Sequence, residues 1–516
     1  MTARKKYITT IALVIAITIT ALMLPACNSD KTENPGETSE STTKEAAAPV
    51  SEQEAIMNEF ETLNEEDYTP ATYRLAKAAA DELSALIESA SADTAALDLA
   101  ADNLQQAMNS LRNGNASQSL AQTYEDYFLL GTIFGDKSNF DTNNDRGALT
   151  RKHFNSLTAE NCMKPDQLSS GGAGTEGAFV IGESKKSTAD DLVSLAQENG
   201  YTVHGHVLVW HSQSPAWVNG GLAGETTREQ AKANMEHYIK TVVEHFDTNY
   251  PGVVTSWDVV NEALVDGVNT VSSSADWRNF LRESDQSAWY KAYSNGMAEG
   301  EDPSDFIYDA FVFARKYTDA KLFYNDFNMY QDGKSKLAAK MATELNEKYK
   351  NEFPDDPRKL IEGIGMQSHN YIMDTPATSV ENGIKNIIAA DIDVAISELD
   401  LFCWFPWNAE PTAYMDLKDR GEEDIIGSQG SSTEKNYWIT KGITNGTEIE
   451  IVQAERYAEY FKVYKNYADH IDRVTFWGLN DQQNWRSGHN PMLWNSDWTP
   501  KDAFFAVSDP DSYLNQ

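Results

Sequence analysis

From about Leu120 onward, short apolar runs alternate with amphipathic stretches, eight times over. The runs are Leu129–Gly135, Ser156–Lys164, Thr202–Trp210, Ser256–Asn261, Lys321–Asn325, Ile361–Gln367, Ile392–Glu398 and Arg473–Leu479. Between them lie helical patterns such as Asp191–Asn199, Asp305–Tyr317, Ser335–Lys350, Val380–Ala390 and Gln453–Ala468. A strand covered by helices on its sheet reads as such a run. Few folds accommodate this rhythm. Eight strand–helix units over about 400 residues predict an α/β chain closed into a (β/α)8 barrel, near the upper end of that fold's size range. The competing open doubly wound sheet would carry a glycine-rich phosphate loop after its first strand, and none follows Leu129–Gly135.

In such a barrel the chemistry sits at the C-terminal ends of the strands. The run Trp257-Asp258-Val259-Val260-Asn261-Glu262-Ala263 delivers an amide and a carboxylate at that end. Val394-Ala395-Ile396-Ser397-Glu398-Leu399-Asp400 repeats the design. Two carboxylates on the ends of two parallel strands are what glycosidic-bond hydrolysis requires, one as proton donor and one as nucleophile or base. The other ends add Glu160, Asn161 and Lys164, then His206, Trp210 and Gln213, then Tyr324-Asn325-Asp326-Phe327-Asn328, Gln367 and His369, and Trp477 with Trp485. Any one of these, a lone histidine or tryptophan, is ordinarily a core residue. Polar and aromatic groups on every end but the first point to a site instead.

These segments, in order on every strand but the first, resemble the successive motifs of glycoside hydrolase family 10, the endo-β-1,4-xylanases, from about residue 125 to 507. The resemblance implies a retaining enzyme that cuts the xylan backbone internally, with Glu262 as general acid/base, Glu398 as nucleophile and no metal or organic cofactor. It further implies that Asn161, Lys164, His206, Trp210, Gln213, Gln367 and Trp485 bind on the glycone side, with Glu160 further out. Asn261 and His369 match residues that contact the reacting sugar or the nucleophile, and Trp477 lines the central subsite. Two departures stand out. His204 stands where the family usually has arginine, which leaves the support of the third strand open. After Glu398, an insertion from Leu401 to Val452 carries Trp404, Trp407, Tyr437 and Trp438 before the next helical pattern. A loop that long is either functional or needs an anchor. Binding on the leaving-group side and a small satellite core are equally compatible with its aromatics.

The 516 residues carry a net charge of −37. Nucleic acid is thereby excluded as a partner, because phosphate binding needs basic stripes; xylan and xylo-oligosaccharides are the expected ones, and a monomer the expected state. The rest of the chain reads as three segments. Residues 1–27 open with Arg4, Lys5 and Lys6, continue through an apolar stretch from Ile8 to Leu24 and end at Leu24-Pro25-Ala26-Cys27, which resembles a bacterial lipoprotein signal with a lipid on Cys27. An uncleaved anchor or an ordinary secretion signal are the alternatives; each puts the protein outside the cytoplasm. Residues 28–50 lack large apolar groups and read as a linker. Residues 51–113 predict three helices, over Glu52 to Leu63, through Leu75 to Leu86 and through Leu97 to Leu111, with Thr69-Pro70 as a helix start and Asn113-Gly114 as a stop. This segment resembles the FIVAR-type helical modules of cell-surface carbohydrate-active proteins, and residues 120–516 form the catalytic domain. Of the three cysteines, Cys27 belongs to the leader, and Cys162 and Cys403 read as buried free thiols.

Overall fold

Eight parallel strands close on themselves. They are β1 (Leu129–Phe134), β2 (Ser156–Ala159), β3 (Thr202–Trp210), β4 (Val254–Asn261), β5 (Lys321–Asp326), β6 (Gly363–Met366), β8 (Asp393–Phe402) and β9 (Ile471–Phe476). Each pairs with its neighbour in order, β6 pairs directly with β8, and β9 returns to β1, where Leu129 stands opposite Arg473. The three-residue β7 (His369–Tyr371) lies outside the ring, paired to the far end of β8. The computed structural model describes residues 51–89, 92–116, 119–168, 188–403, 443, 446–486 and 489–515. The leader with Cys27, the 28–50 linker and the loop aromatics Trp404, Trp407, Tyr437 and Trp438 lie outside the described residues.

Strand pleating explains the polar residues inside the apolar runs. Trp257 of β4 packs on Phe246, ring centroids 6.0 Å apart, so that face of the strand meets the helix Arg228–Asn249. Its neighbours Ser256 and Asp258 therefore point to the barrel axis, because successive side chains alternate. Gly205 is needed beside Trp257, since a Cβ there would sit 2.1 Å from the indole. Asp258 holds two histidines of β3: its Oδ2 is 2.9 Å from His204 Nε2 and 2.9 Å from His206 Nδ1. His204 Nδ1 lies 2.7 Å from Ser256 Oγ. Burial drives the His204 pKa down to about 4, so the ring is neutral. The third strand is thus supported by a neutral imidazole on Asp258 where the family usually has a guanidinium. A buried guanidinium, that of Arg473, enters from β9 instead.

Several strand and helix boundaries depart from the sequence reading by a few residues, and three departures have a plain cause or consequence. β2 stops at Ala159, five residues before Lys164, because a turn closed by Lys164 N–H to Asn161 O leads into a short helix starting at Pro165. β8 runs four residues past Glu398 to Phe402, extended by its pairing with β7. The next helix among the described residues begins at Gly446, about two turns earlier than Gln453.

The N-terminal segment forms the expected bundle, with α1 (Glu52–Glu61), α2 (Pro70–Glu88) and α3 (Thr94–Asn109) around Ala80, Leu83, Ala101 and Leu104. It belongs to the same compact unit as the barrel. Thr69 sits at the N-cap of α2, but its hydroxyl does not cap the helix. It donates to Asp502 Oδ2 at 2.5 Å, and Asp502 Oδ1 accepts the Ala71 amide at 2.6 Å. A barrel carboxylate caps the module's helix from outside. Asn113-Gly114 is not the stop of α3, which ends at Asn109. Gly114 is required by close approach instead: a Cβ there would lie 2.4 Å from Tyr68 O.

Candidate active site

The strand ends surround a cleft of about 500 Å³. All thirteen sequence-predicted barrel site residues line it: Glu160, Asn161, Lys164, His206, Trp210, Gln213, Asn261, Glu262, Gln367, His369, Glu398, Trp477 and Trp485. Cys27, the fourteenth candidate, lies outside the described residues. Phe327 and Asn328, read only as part of the fifth strand's end, also line the cleft, as do Tyr371 and Arg486, which were missed. Each adjoins a recognised motif: Phe327 and Asn328 follow Asp326, Tyr371 is two residues past His369, and Arg486 follows Trp485.

Glu398, on β8, is 5% exposed. Its Oε1 accepts from Asn325 Nδ2 at 2.7 Å and its Oε2 lies 3.1 Å from His369 Nε2. Burial alone would raise its pKa. The His369 hydrogen bond and the Asn325 amide outweigh burial and hold the group below the usual carboxylate range. His369 in turn places Nδ1 2.9 Å from Asp400 Oδ2, which also accepts from Trp485 Nε1 at 2.8 Å. Burial disfavours a charged imidazole, but Asp400 and Glu398 on its two sides raise its pKa to about 9. The result is a protonated histidine clamped between two carboxylates.

Glu262 follows the last residue of β4 with φ +54°, in the left-handed region. Its Oε1 accepts from Gln367 Nε2 at 2.8 Å and from Asn261 Nδ2 at 3.3 Å, and its Oε2 accepts from Trp210 Nε1 at 3.0 Å. Asn325 Nδ2 also reaches Asn261 Oδ1 at 2.9 Å, so an amide relay joins the surroundings of the two glutamates. Ser397 donates to Asn325 Oδ1 at 2.6 Å and fixes which way that amide points. Gly365 leaves room for it, since a Cβ there would sit 2.2 Å from Asn325 Oδ1.

Of the residues matched to contacts with sugar or nucleophile, His369 touches Glu398 and Asn261 touches Glu262. Asn325, read as part of a strand end and not as a site residue, is the second hand on Glu398. Trp210, Gln367 and Trp485, matched to sugar contacts, each also donate to a carboxylate of the site. Lys164 donates to Asn161 Oδ1 at 2.9 Å with its ammonium 5.3 Å from the Trp210 ring centre. Burial lowers its pKa against the raising effect of Glu398 and Glu160. Trp477 is almost fully buried, and Trp485 is 53% exposed at the rim. Cys162 and Cys403 are unpaired thiols, each pushed up to about 12 by burial.

Two glutamates on separate strands of one barrel cleft, Glu262 held by amide and indole N–H groups and Glu398 by an amide and a histidine, define a (β/α)8 glycoside hydrolase. The chain belongs to glycosyl hydrolase family 10, whose model matches residues 119–510. An endo-1,4-beta-xylanase A of Xylanibacter ruminicola is 33% identical over 367 residues, covering 70% of this chain and 83% of that protein. A solved GH10 xylanase from termite gut, containing a bacterial Ig-like domain, matches with a TM-score of 0.59 and 31% identity over 77% of this chain and 78% of that one. A solved mutant in complex with xylotriose matches with a TM-score of 0.56 and 28% identity over 76% of this chain and 100% of that one.

Proposed function

We propose that this chain is an endo-1,4-β-xylanase that hydrolyses internal β-1,4-xylosidic bonds of xylan with retention of anomeric configuration, Glu398 acting as nucleophile and Glu262 as acid and base. The observation that carries this reading is that the two carboxyls share one cleft in different surroundings. Glu398 is buried and kept ionised by a charged His369 and by Asn325, as an attacking carboxylate must be. Glu262, at the end of β4 across the cleft opening, is held by neutral N–H donors. Glu398 attacks the anomeric carbon, and a bond forms between that carbon and its oxygen. The bond to the leaving oxygen breaks as Glu262 gives that oxygen its proton. Water then attacks the same carbon, gives its proton to Glu262 and releases Glu398. The steps leave both carboxyls as they began and need no electron transfer. Trp477 and Trp485 offer apolar faces to the sugar rings, and Lys164, Asn161, His206 and Gln213 offer polar atoms to their hydroxyls.

The test is Glu398→Ala. Hydrolysis should be abolished, and azide should restore turnover of an activated aryl β-xylobioside to the α-glycosyl azide. Unchanged hydrolysis, or a β-azide product, contradicts the assignment of Glu398.

We further propose that the mature chain acts as a monomer held at the outer face of the cell membrane by a lipid on Cys27. The basic start, apolar stretch and Leu24-Pro25-Ala26-Cys27 support this. Residues 51–113 then hold the barrel away from the bilayer beyond a linker.

A further inference from the structure

Glu262 is a non-glycine residue in the left-handed backbone region, φ +54°. A branched backbone–Cβ clash makes that conformation unfavourable unless the surroundings hold it. They do so at every backbone N–H and C=O from Glu262 N to Leu264 N. Glu262 N donates to Asn325 O at 2.8 Å, and Glu262 O accepts from Arg282 Nε at 2.9 Å. Ala263 O accepts from Arg282 N at 2.9 Å. The next two amides, Ala263 N and Leu264 N, both donate to one atom, Tyr324 Oη, at 3.1 Å each.

A phenol oxygen can accept two amides only if its own proton is directed elsewhere. Tyr324 sends that proton to Asp326 Oδ2 at 2.6 Å. Asp326 is fully buried and is paired through Oδ1 with Lys334 Nζ at 2.7 Å, also fully buried. A buried ion pair is costly to build and gives no stability advantage over packed apolar groups. Here it orients one hydroxyl. None of Tyr324, Asp326 and Lys334 lines the cleft.

We propose that Tyr324, oriented by the Asp326–Lys334 pair, is a positioning residue for the proton donor of the reaction: it fixes the backbone of residues 262–264 so that the Glu262 carboxyl meets the leaving oxygen. This rests on the reading of Glu262 as the acid. The consequence is specific. Bond cleavage needs the donor only when the leaving group is a poor one. A sugar alkoxide must be protonated as it departs, whereas a dinitrophenolate leaves as a stable anion. Loss of Tyr324 therefore costs the first chemical step on oligosaccharides and spares it on dinitrophenyl glycosides.

The experiment compares kcat/KM, which reports that first step, on xylohexaose and on 2,4-dinitrophenyl β-xylobioside. Tyr324→Phe keeps the ring and removes the acceptor. It should lower kcat/KM on xylohexaose by about 10²-fold, the lower range for general acid catalysis, and change it by less than about 3-fold on the dinitrophenyl substrate. Asp326→Asn keeps an acceptor for the phenol proton and should show the same selectivity with a smaller loss; it carries the test if Tyr324→Phe does not fold. Equal losses on both substrates, or a lowered melting temperature with unchanged kcat/KM, overturn the proposal. Glu262→Ala is run beside them. If it shows steep leaving-group selectivity and the other two do not, the positioning role fails alone. If Glu262→Ala shows none, the assignment of the acid fails.

Discussion

Asn325 does more in the cleft than its place in a strand end suggests. One nitrogen donates to both Glu398 Oε1 and Asn261 Oδ1, and one oxygen is held by Ser397. Its contribution to Glu398 has a definite sign. A hydrogen bond to the charged form favours that form and lowers the pKa. Asn325→Ala removes it, so the Glu398 pKa rises and a larger fraction is protonated in mildly acidic solution. The acidic limb of the kcat/KM–pH profile should move to higher pH. The rate at the optimum should fall by about 10²-fold, by comparison with the loss of a single preorganised donor elsewhere. An unmoved acidic limb would show that Asn325 acts on something other than the Glu398 charge. His369 opposes any simple replacement of this donor, because its own charge depends on Glu398 and Asp400 together.

At the scale of elements, the helical segment before the barrel is a clasp and not a loosely tethered neighbour. Asp502 accepts from Thr69 and Ala71 at the start of α2, and Arg74 of α2 pairs with Glu450 near the start of the helix Gly446–Asn466. That helix begins at Gly446, the first residue of the described stretch 446–486. Cap residues contribute about 0.5–2 kcal/mol, and an Asp502 left buried without its partners adds its own penalty. A chain beginning at Ser119 should keep its kcat on soluble xylan, since no residue of 51–113 lines the cleft. Its melting temperature should drop by a few degrees, and Asp502→Ala in the full chain should reproduce part of that drop. Differential scanning calorimetry separates the two effects from activity. A large fall in kcat with an unchanged melting point would mean that the segment takes part in the reaction.

For the whole molecule, the net charge of −37 belongs to a chain whose substrate backbone is neutral. Such a charge keeps a protein soluble and discourages self-association without favouring any fold. The barrel core runs through every strand and the surrounding helices, while the N-terminal bundle keeps a small cluster of its own. The proposed lipid anchor would assign location to a part of the chain separate from the barrel cleft. Replacing the lipid acceptor, Cys27→Ala, should move the protein from the membrane fraction to the soluble fraction and leave kcat on xylan unchanged. Retention in the membrane fraction would remove the lipid anchor from the proposal.

The barrel was legible because its signal is local and repeated: a buried parallel strand must be apolar, a covering helix must be amphipathic, and the alternation recurs at each unit. Glu262 and Glu398 were legible as candidates for the same reason, since an apolar run that delivers a carboxylate is visible in seven residues of sequence. What the sequence could not settle is which side chains meet. Asp258 breaks an apolar run, and only the closed barrel shows it carrying His204 and His206 on one oxygen. Asn325 looks like any amide at a strand end until β5 and β8 are placed in register around Gly365. Thr69 has the sequence of a helix cap, yet its hydroxyl belongs to Asp502, 433 residues away. Periodicity is a property of neighbours along the chain and is written there. Partnership between distant residues depends on closure of the barrel, and tertiary structure alone decides it.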